Sequence, residues 1–166
     1  MHLTVELTYP ADVADVAALL SDPDFVRWRA GRPGAGSVSR VDVTGDPTSG
    51  FTVSLRRTLT TDAIPAQVRP FVGECLEIRQ TEAWEAAGSG RHVGTVVVEI
   101  TGAPVRMTGT LVLEPHPQGG CRQVYTGELR ASVPLFAAAV EEAAAGAVRR
   151  TLESEEQSLR DWLAGA

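Results

Sequence analysis

The sequence predicts an α+β fold in which a seven-stranded antiparallel sheet carries two short helices after its first strand and one long helix at the C-terminus. Three observations carry this. Pro134 to Ala166 is the only long stretch whose apolar residues recur at helical spacing with no proline after its first turn. Six segments between Val38 and Leu129 alternate apolar with polar residues and are separated by turn chemistry. Leu3, Val5, Leu7 and Tyr9 alternate with Thr4, Glu6 and Thr8, which adds a strand ahead of any helix.

Taken in order, Pro10 is expected to open the first helix, whose apolar face is Val13, Val16, Ala17 and Leu20. Ser21 with Asp24 resembles a capping box for a second helix, Pro23 to Ala30, with Phe25 and Trp28 inward. The glycine-rich Gly31 to Gly36 ends the helical part. Strands follow at Val38–Val43, Phe51–Leu59, Cys75–Trp84, Val93–Ile100, Val105–Leu113 and Cys121–Leu129. The connectors TGDPTSG, AAGSGR, TGAP and EPHPQGG suit hairpins, so the sheet is antiparallel and one face must be covered. Only the C-terminal helix is long enough to do so, with Leu152, Leu159 and Trp162 as its anchors. Its apolar stripe shifts near Gly146, where it is expected to bend or change partner. The connector TTDAIPAQVRPFVGE is long for a compact domain, and either plugs the end of the sheet or covers a cavity.

At 166 residues the chain has the length of one domain, and 43% apolar with 22% charged residues is ordinary for a globular protein. All fifteen basic residues are arginine, which with the many alanines points to a GC-rich bacterial genome. A net charge of −6 and scattered arginines weigh against nucleic acid as a partner. No apolar run approaches the ~20 residues of a membrane span and no signal peptide opens the sequence, so a cytoplasmic protein is expected. Cys75 and Cys121 read as two half-buried strand thiols. His2, His92 and His116 read as surface residues, and Glu141, Glu142, Glu153, Glu155 and Glu156 as a solvated helix face with i,i+4 pairs to arginine. No nucleophile, metal, phosphate-loop or dinucleotide motif occurs, so neither catalysis nor a cofactor is indicated.

Polar residues in phase with apolar ones mark the candidate site. Arg57 shares a strand face with Phe51, Val53, Leu55 and Leu59, and Gln80 and Glu82 share one with Leu76, Ile78 and Trp84. Gln123 and Tyr125 share one with Leu129. All should point toward the helix, with Arg57 pairing Glu82 on the neighbouring strand.

The order of elements resembles the helix-grip architecture of the START-like, or SRPBCC, superfamily. Within it, LTVELTYPADVADVAALLSDPDFVRWR, AIPAQVRPFVGECLEIRQTEAWE and the terminal SLRDWL are similar to the actinobacterial family of unknown function DUF2505. The resemblance implies a sheet curled around the long helix and a pocket between them that holds a hydrophobic small molecule. It brings no catalytic residue. Ala139, Ala143 and Ala147 are expected to form one wall, because small side chains leave volume there. Leu55, Ile78, Met107 and Tyr125 should form the other, with Arg57, Gln80 and Glu82 as polar groups. Phe71 and Pro65 should cover the entrance, with Trp28 nearby. A hydrophobic binder is the preferred reading. The alternatives are a cyclase- or hydrolase-like enzyme using Tyr125, Glu82 and Arg57, and a protein-interaction module.

Overall fold

The computed structural model describes residues 1–165 except 34, 35, 61, 63, 65 and 67. Strand β1 (His2–Tyr9) leads into helices α1 (Val13–Leu20) and α2 (Pro23–Ala30). Six strands follow: β2 (Ser37–Asp46), β3 (Gly50–Thr60), β4 (Cys75–Ala86), β5 (His92–Thr101), β6 (Val105–Pro115) and β7 (Cys121–Ala131). The long helix α3 (Ala137–Leu163) comes last. All seven strands join in one antiparallel sheet in the order β1-β7-β6-β5-β4-β3-β2. Because β1 pairs with the last strand, α1 and α2 must carry the chain from one sheet edge to the other. Among the described residues no helix is long and apolar enough to cross a membrane.

Alternation decides which face is covered. Phe51, Val53, Leu55 and Arg57 of β3 are buried together, as are Leu76, Gln80, Glu82 and Trp84 of β4. The same holds for Val105, Met107, Leu111 and Leu113 of β6 and for Cys121, Gln123, Tyr125 and Leu129 of β7. Along this inward face Gly109 of β6 stands opposite Gly127 of β7. A Cβ on Gly109 would collide with the Thr126 carbonyl and come 2.8 Å from the Gly127 Cα. The two backbones approach too closely there for any side chain, which lets the sheet curl toward α3. On β2 one extra residue, Ser39, falls between the pairs Val38↔Arg57 and Arg40↔Arg56. Such a bulge on an edge strand discourages pairing with a further strand.

The caps differ from expectation in detail. Pro10 lies outside α1, which starts at Val13 because the Asp12 carboxylate accepts from the Asp15 N–H at 2.9 Å. Asp22, not Ser21, caps α2 by accepting from the Asp24 N–H at 2.9 Å. The Ser21 hydroxyl instead donates back to the Ala17 carbonyl at 2.9 Å, at the end of α1. Helix α3 begins at Ala137, later than Pro134, because Leu135 has φ 66°, a left-handed conformation that cannot continue into a right-handed helix. Leu135 is fully exposed and Phe136 is half-exposed.

From Ala137 the helix runs unbroken through Gly146, but it changes partners along its length. Near its start Glu141 accepts from the Ala131 N–H of β7 at 3.0 Å. Further on, Glu156 accepts from the Thr8 N–H of β1 at 2.8 Å, and Arg160 donates to the Thr8 carbonyl at 2.7 Å. At its end Trp162, itself only half-buried, meets Phe25 and Trp28 of α2 with ring centroids 5.4 and 5.1 Å apart. Leu152 and Leu159 are buried beneath it.

Two further expectations give way. Cys121 is fully buried and its thiol is pushed up to about 12 by burial, whereas Cys75 is exposed. His92 is buried with its Nε2 2.7 Å from the Pro47 carbonyl, because the β2–β3 turn folds over the start of β5. Leu159 is 1% exposed at the centre of the helix–sheet contact, so Leu159→Ala should lower the unfolding free energy by about 2–5 kcal/mol. Chemical denaturation measures this, and a loss below about 1 kcal/mol would mean that α3 is held by its hydrogen bonds to β1 and β7 instead.

Candidate functional site

Helix α3 packs most closely on β1, β7 and α2, and stands off from the middle strands. The sheet's inward face is filled at one end, where Phe51 stacks on Trp84 at 6.1 Å and Leu111 and Leu113 are fully buried. At the other end, below the β3–β4 connector, a cavity of about 160 Å³ remains. Its sheet wall includes Leu59, Leu76, Ile78, Val98, Met107 and Leu129. Its helix wall is Ala144, Ala147, Val148, Thr151, Leu152 and Glu155. Ile64 and Val68 of the connector, 4% and 5% exposed, close over it.

A polar layer separates the filled end from the cavity. The Gln80 amide donates to Glu82 Oε1 at 2.8 Å, and the Trp84 indole N–H donates to Glu82 Oε2 at 3.0 Å. The Tyr125 hydroxyl reaches Glu82 Oε1 at 3.5 Å. Arg57 donates to Gln80 Oε1 at 3.4 Å, so it meets Glu82 only through Gln80 and the expected direct pair does not form. Register explains this: Arg57 stands opposite Ile78, and Glu82 opposite Val53. Burial holds the Glu82 carboxyl above the usual carboxylate range, against the pull of Arg29 and its hydrogen bonds. Burial also keeps the Tyr125 phenol protonated far above its ordinary range, with Glu82 and Glu155 acting in the same direction.

Behind this layer lies a pair whose members sequence patterning assigns to solvent or passes over. Arg29 of α2 and Glu155 of α3 are both 7% exposed and approach to 3.8 Å, an ion pair too long for a hydrogen bond. Burial alone would lower the Arg29 guanidinium, but Glu155 and Glu82 outweigh it and hold it above its ordinary value. Glu155 is therefore not part of a solvated face. The signal was present: Arg29 follows Phe25 by four residues, and Glu155 lies three after Leu152 and four before Leu159. Tyr9 extends the layer by donating to Gln123 Oε1 at 3.2 Å.

Of the residues expected to wall a pocket, Arg57, Ile78, Gln80, Met107, Tyr125 and Ala147 border this cavity. Leu55 and Glu82 are buried on the same face but lie toward its filled end. Ala139 is exposed, and Ala143, though half-buried, does not border the cavity. The inward stripe runs through Val140, Ala144 and Val148 instead, one residue out of phase with the expected one. Trp28 is taken up by Trp162 and by Arg32, whose guanidinium sits 4.8 Å above its ring. Phe71 packs on Phe136 at 5.5 Å outside the cavity, and Pro65 lies outside the described residues.

A family model described as a protein of unknown function, DUF2505, matches residues 4–163. No protein of curated function matches the sequence. Solved structures share the fold over nearly the whole chain. TTHA0849 from Thermus thermophilus is 18% identical with a TM-score of 0.61, over 100% of this chain and 99% of that one. Protein Ms6760 from Mycobacterium smegmatis is 14% identical with a TM-score of 0.55, over 99% of this chain and 91% of that one. Norcoclaurine synthase from Thalictrum flavum, in complex with dopamine and hydroxybenzaldehyde, is 14% identical with a TM-score of 0.56, over 99% and 87%.

The burial of Glu82 has a consequence in pH. A carboxyl whose folded pKa is raised favours folding in its protonated form, and that advantage is lost as pH rises from its unfolded value near 4.3 through the folded one. Glu82→Gln removes the titration. The stability of the variant relative to the parent should therefore improve between about pH 4 and pH 8. Denaturation curves at both pH values would show it, and a shift in the parent's favour would mean that Arg29, Trp84 and Gln80 stabilise the ionised carboxylate more than burial penalises it.

Proposed function

This chain belongs to the DUF2505 family, and from that membership we propose that it is a single START-like (SRPBCC) domain that binds a hydrophobic small molecule without chemical turnover. One observation carries the reading. Where α3 crosses the middle strands it presents Ala144, Ala147 and Val148 to Ile78, Val98 and Met107, leaving apolar walls without apolar filling. Well-packed cores do not leave such space, and apolar cavities with a few convergent polar groups are what small-molecule sites are made of. That norcoclaurine synthase, of the same fold, holds dopamine and hydroxybenzaldehyde supports a site for small organic molecules.

The polar layer favours binding over catalysis. Glu82 is engaged by Gln80, Trp84 and Tyr125 and does not border the cavity, so it has no free lone pair directed at a substrate proton. Tyr125 is spent on Glu82 and is held protonated. These groups position one another and present an ordered polar wall.

Ala144→Leu tests the proposal, since it fills the space from the helix side. The parent should take up a neutral fluorescent apolar probe, N-phenyl-1-naphthylamine, and the variant should lose about ten-fold or more in affinity while remaining folded. Should the parent not take up the probe and Ala144→Leu cost several kcal/mol of stability, the helix is close-packed and the binder reading fails.

A further inference from the structure

A second space, about 290 Å³, adjoins the apolar cavity. Arg57, Ile78, Ala147, Thr151 and Glu155 border both. The second space is more polar than the first: Arg29, Arg150, Ser154 and Ser158 complete much of its wall. The two spaces are neighbours, an apolar lobe under the β3–β4 connector and a more polar lobe toward α2, and Arg57 borders both.

The two buried arginines there are partnered unequally. Arg29 and Arg57 are each 7% exposed, and Glu155 is the ion-pair partner that Arg29 uses, at 3.8 Å. The side chain Arg57 contacts is a neutral amide, Gln80 Oε1, at 3.4 Å. Glu82, the next carboxyl, is separated from Arg57 by that amide, which it binds as an acceptor. Among the described residues Arg57 is thus a buried guanidinium with no carboxylate in direct contact, and the exposed Arg150 adds a further cation at the rim. The Nε–H groups of both buried arginines are shielded from solvent and lack an acceptor among the described residues. A buried cation is stable only with a counter-charge, and an arginine does not shed its proton to escape.

Building on the binder reading, we propose that the missing counter-charge arrives with the ligand: a monocarboxylate whose head lies against Arg57 at the junction and whose compact apolar body fills the lobe beneath α3. A carboxylate fits the planar donor fork of a guanidinium. One negative charge supplies the direct partner that Arg57 lacks, whereas a doubly charged phosphate monoester would meet more repulsion from Glu155. The apolar lobe excludes small hydrophilic acids. Burial and the neighbouring Arg29 depress the Arg57 guanidinium, with Glu155 opposing them only in part, the direction expected of a cation awaiting an anion.

The test compares two probes of equal shape, 2-naphthoate and its neutral amide 2-naphthamide, by calorimetry at pH 7.5. The parent should bind the acid about ten-fold or more tightly than the amide. Arg57→Gln should bring the two within about two-fold by weakening the acid alone. Arg57→Lys keeps the charge and loses the fork, so it should retain part of the preference and replaces Arg57→Gln if that variant does not fold. 2-Naphthyl phosphate should bind less tightly than the carboxylate. If the parent binds the amide as well as the acid, the charge inference is overturned and the binder reading stands. If neither probe binds and N-phenyl-1-naphthylamine is not taken up either, both fall together.

Discussion

The geometry of the interior follows from one constraint: a single helix is narrower than the sheet it covers. Helix α3 is drawn to one side, because Thr8 of β1 and the Ala131 N–H of β7 satisfy Glu156, Arg160 and Glu141. Those hydrogen bonds tie it over the β1–β7 edge. The middle strands are then left with an apolar face that is only partly filled, since the helix carries Ala144 and Ala147 where it passes over them. Leucines at those positions would have closed the interior. The cavity is the remainder of this packing.

The same placement explains why polar groups are tolerated in the interior. With α2 packed against the end of α3, Arg29 is brought to Glu155, and neither could be buried without the other. Glu82 survives burial because β4 itself supplies two donors, from Gln80 and Trp84, on the same face of the strand. Arg57 is the exception. It is buried beside an amide in a protein whose other deeply buried cation has its carboxylate, and the contrast gives the site its chemical character.

How much was legible in the sequence depended on the range of the forces involved. Alternation with period two and the hairpin turns are local, so all seven strands, the inward faces of β3, β4, β6 and β7 and the antiparallel pairing could be read from neighbouring residues. So could both short helices and the anchors Leu152 and Leu159. Membership of the candidate site was partly readable in the same way. Arg57, Gln80 and Tyr125 fall in phase with apolar residues on their strands, and the strand pleat turns them inward whatever the helix does.

What the tertiary structure decided was contact between elements distant in sequence. The helix phase that selects Ala144 and Val148 over Ala139 and Ala143 depends on which edge of the sheet anchors α3, and no local pattern encodes that. Arg29 and Glu155 lie in different helices more than a hundred residues apart, and an acid in an apolar stripe reads as a surface residue until its partner is known. The Arg57–Glu82 pair failed for the converse reason: both do face inward, but the β3–β4 register sets Arg57 opposite Ile78 and leaves Gln80 between them. Face is a property of one strand and follows from its sequence. Partner is a property of two, and is decided only when the strands and helices are brought together.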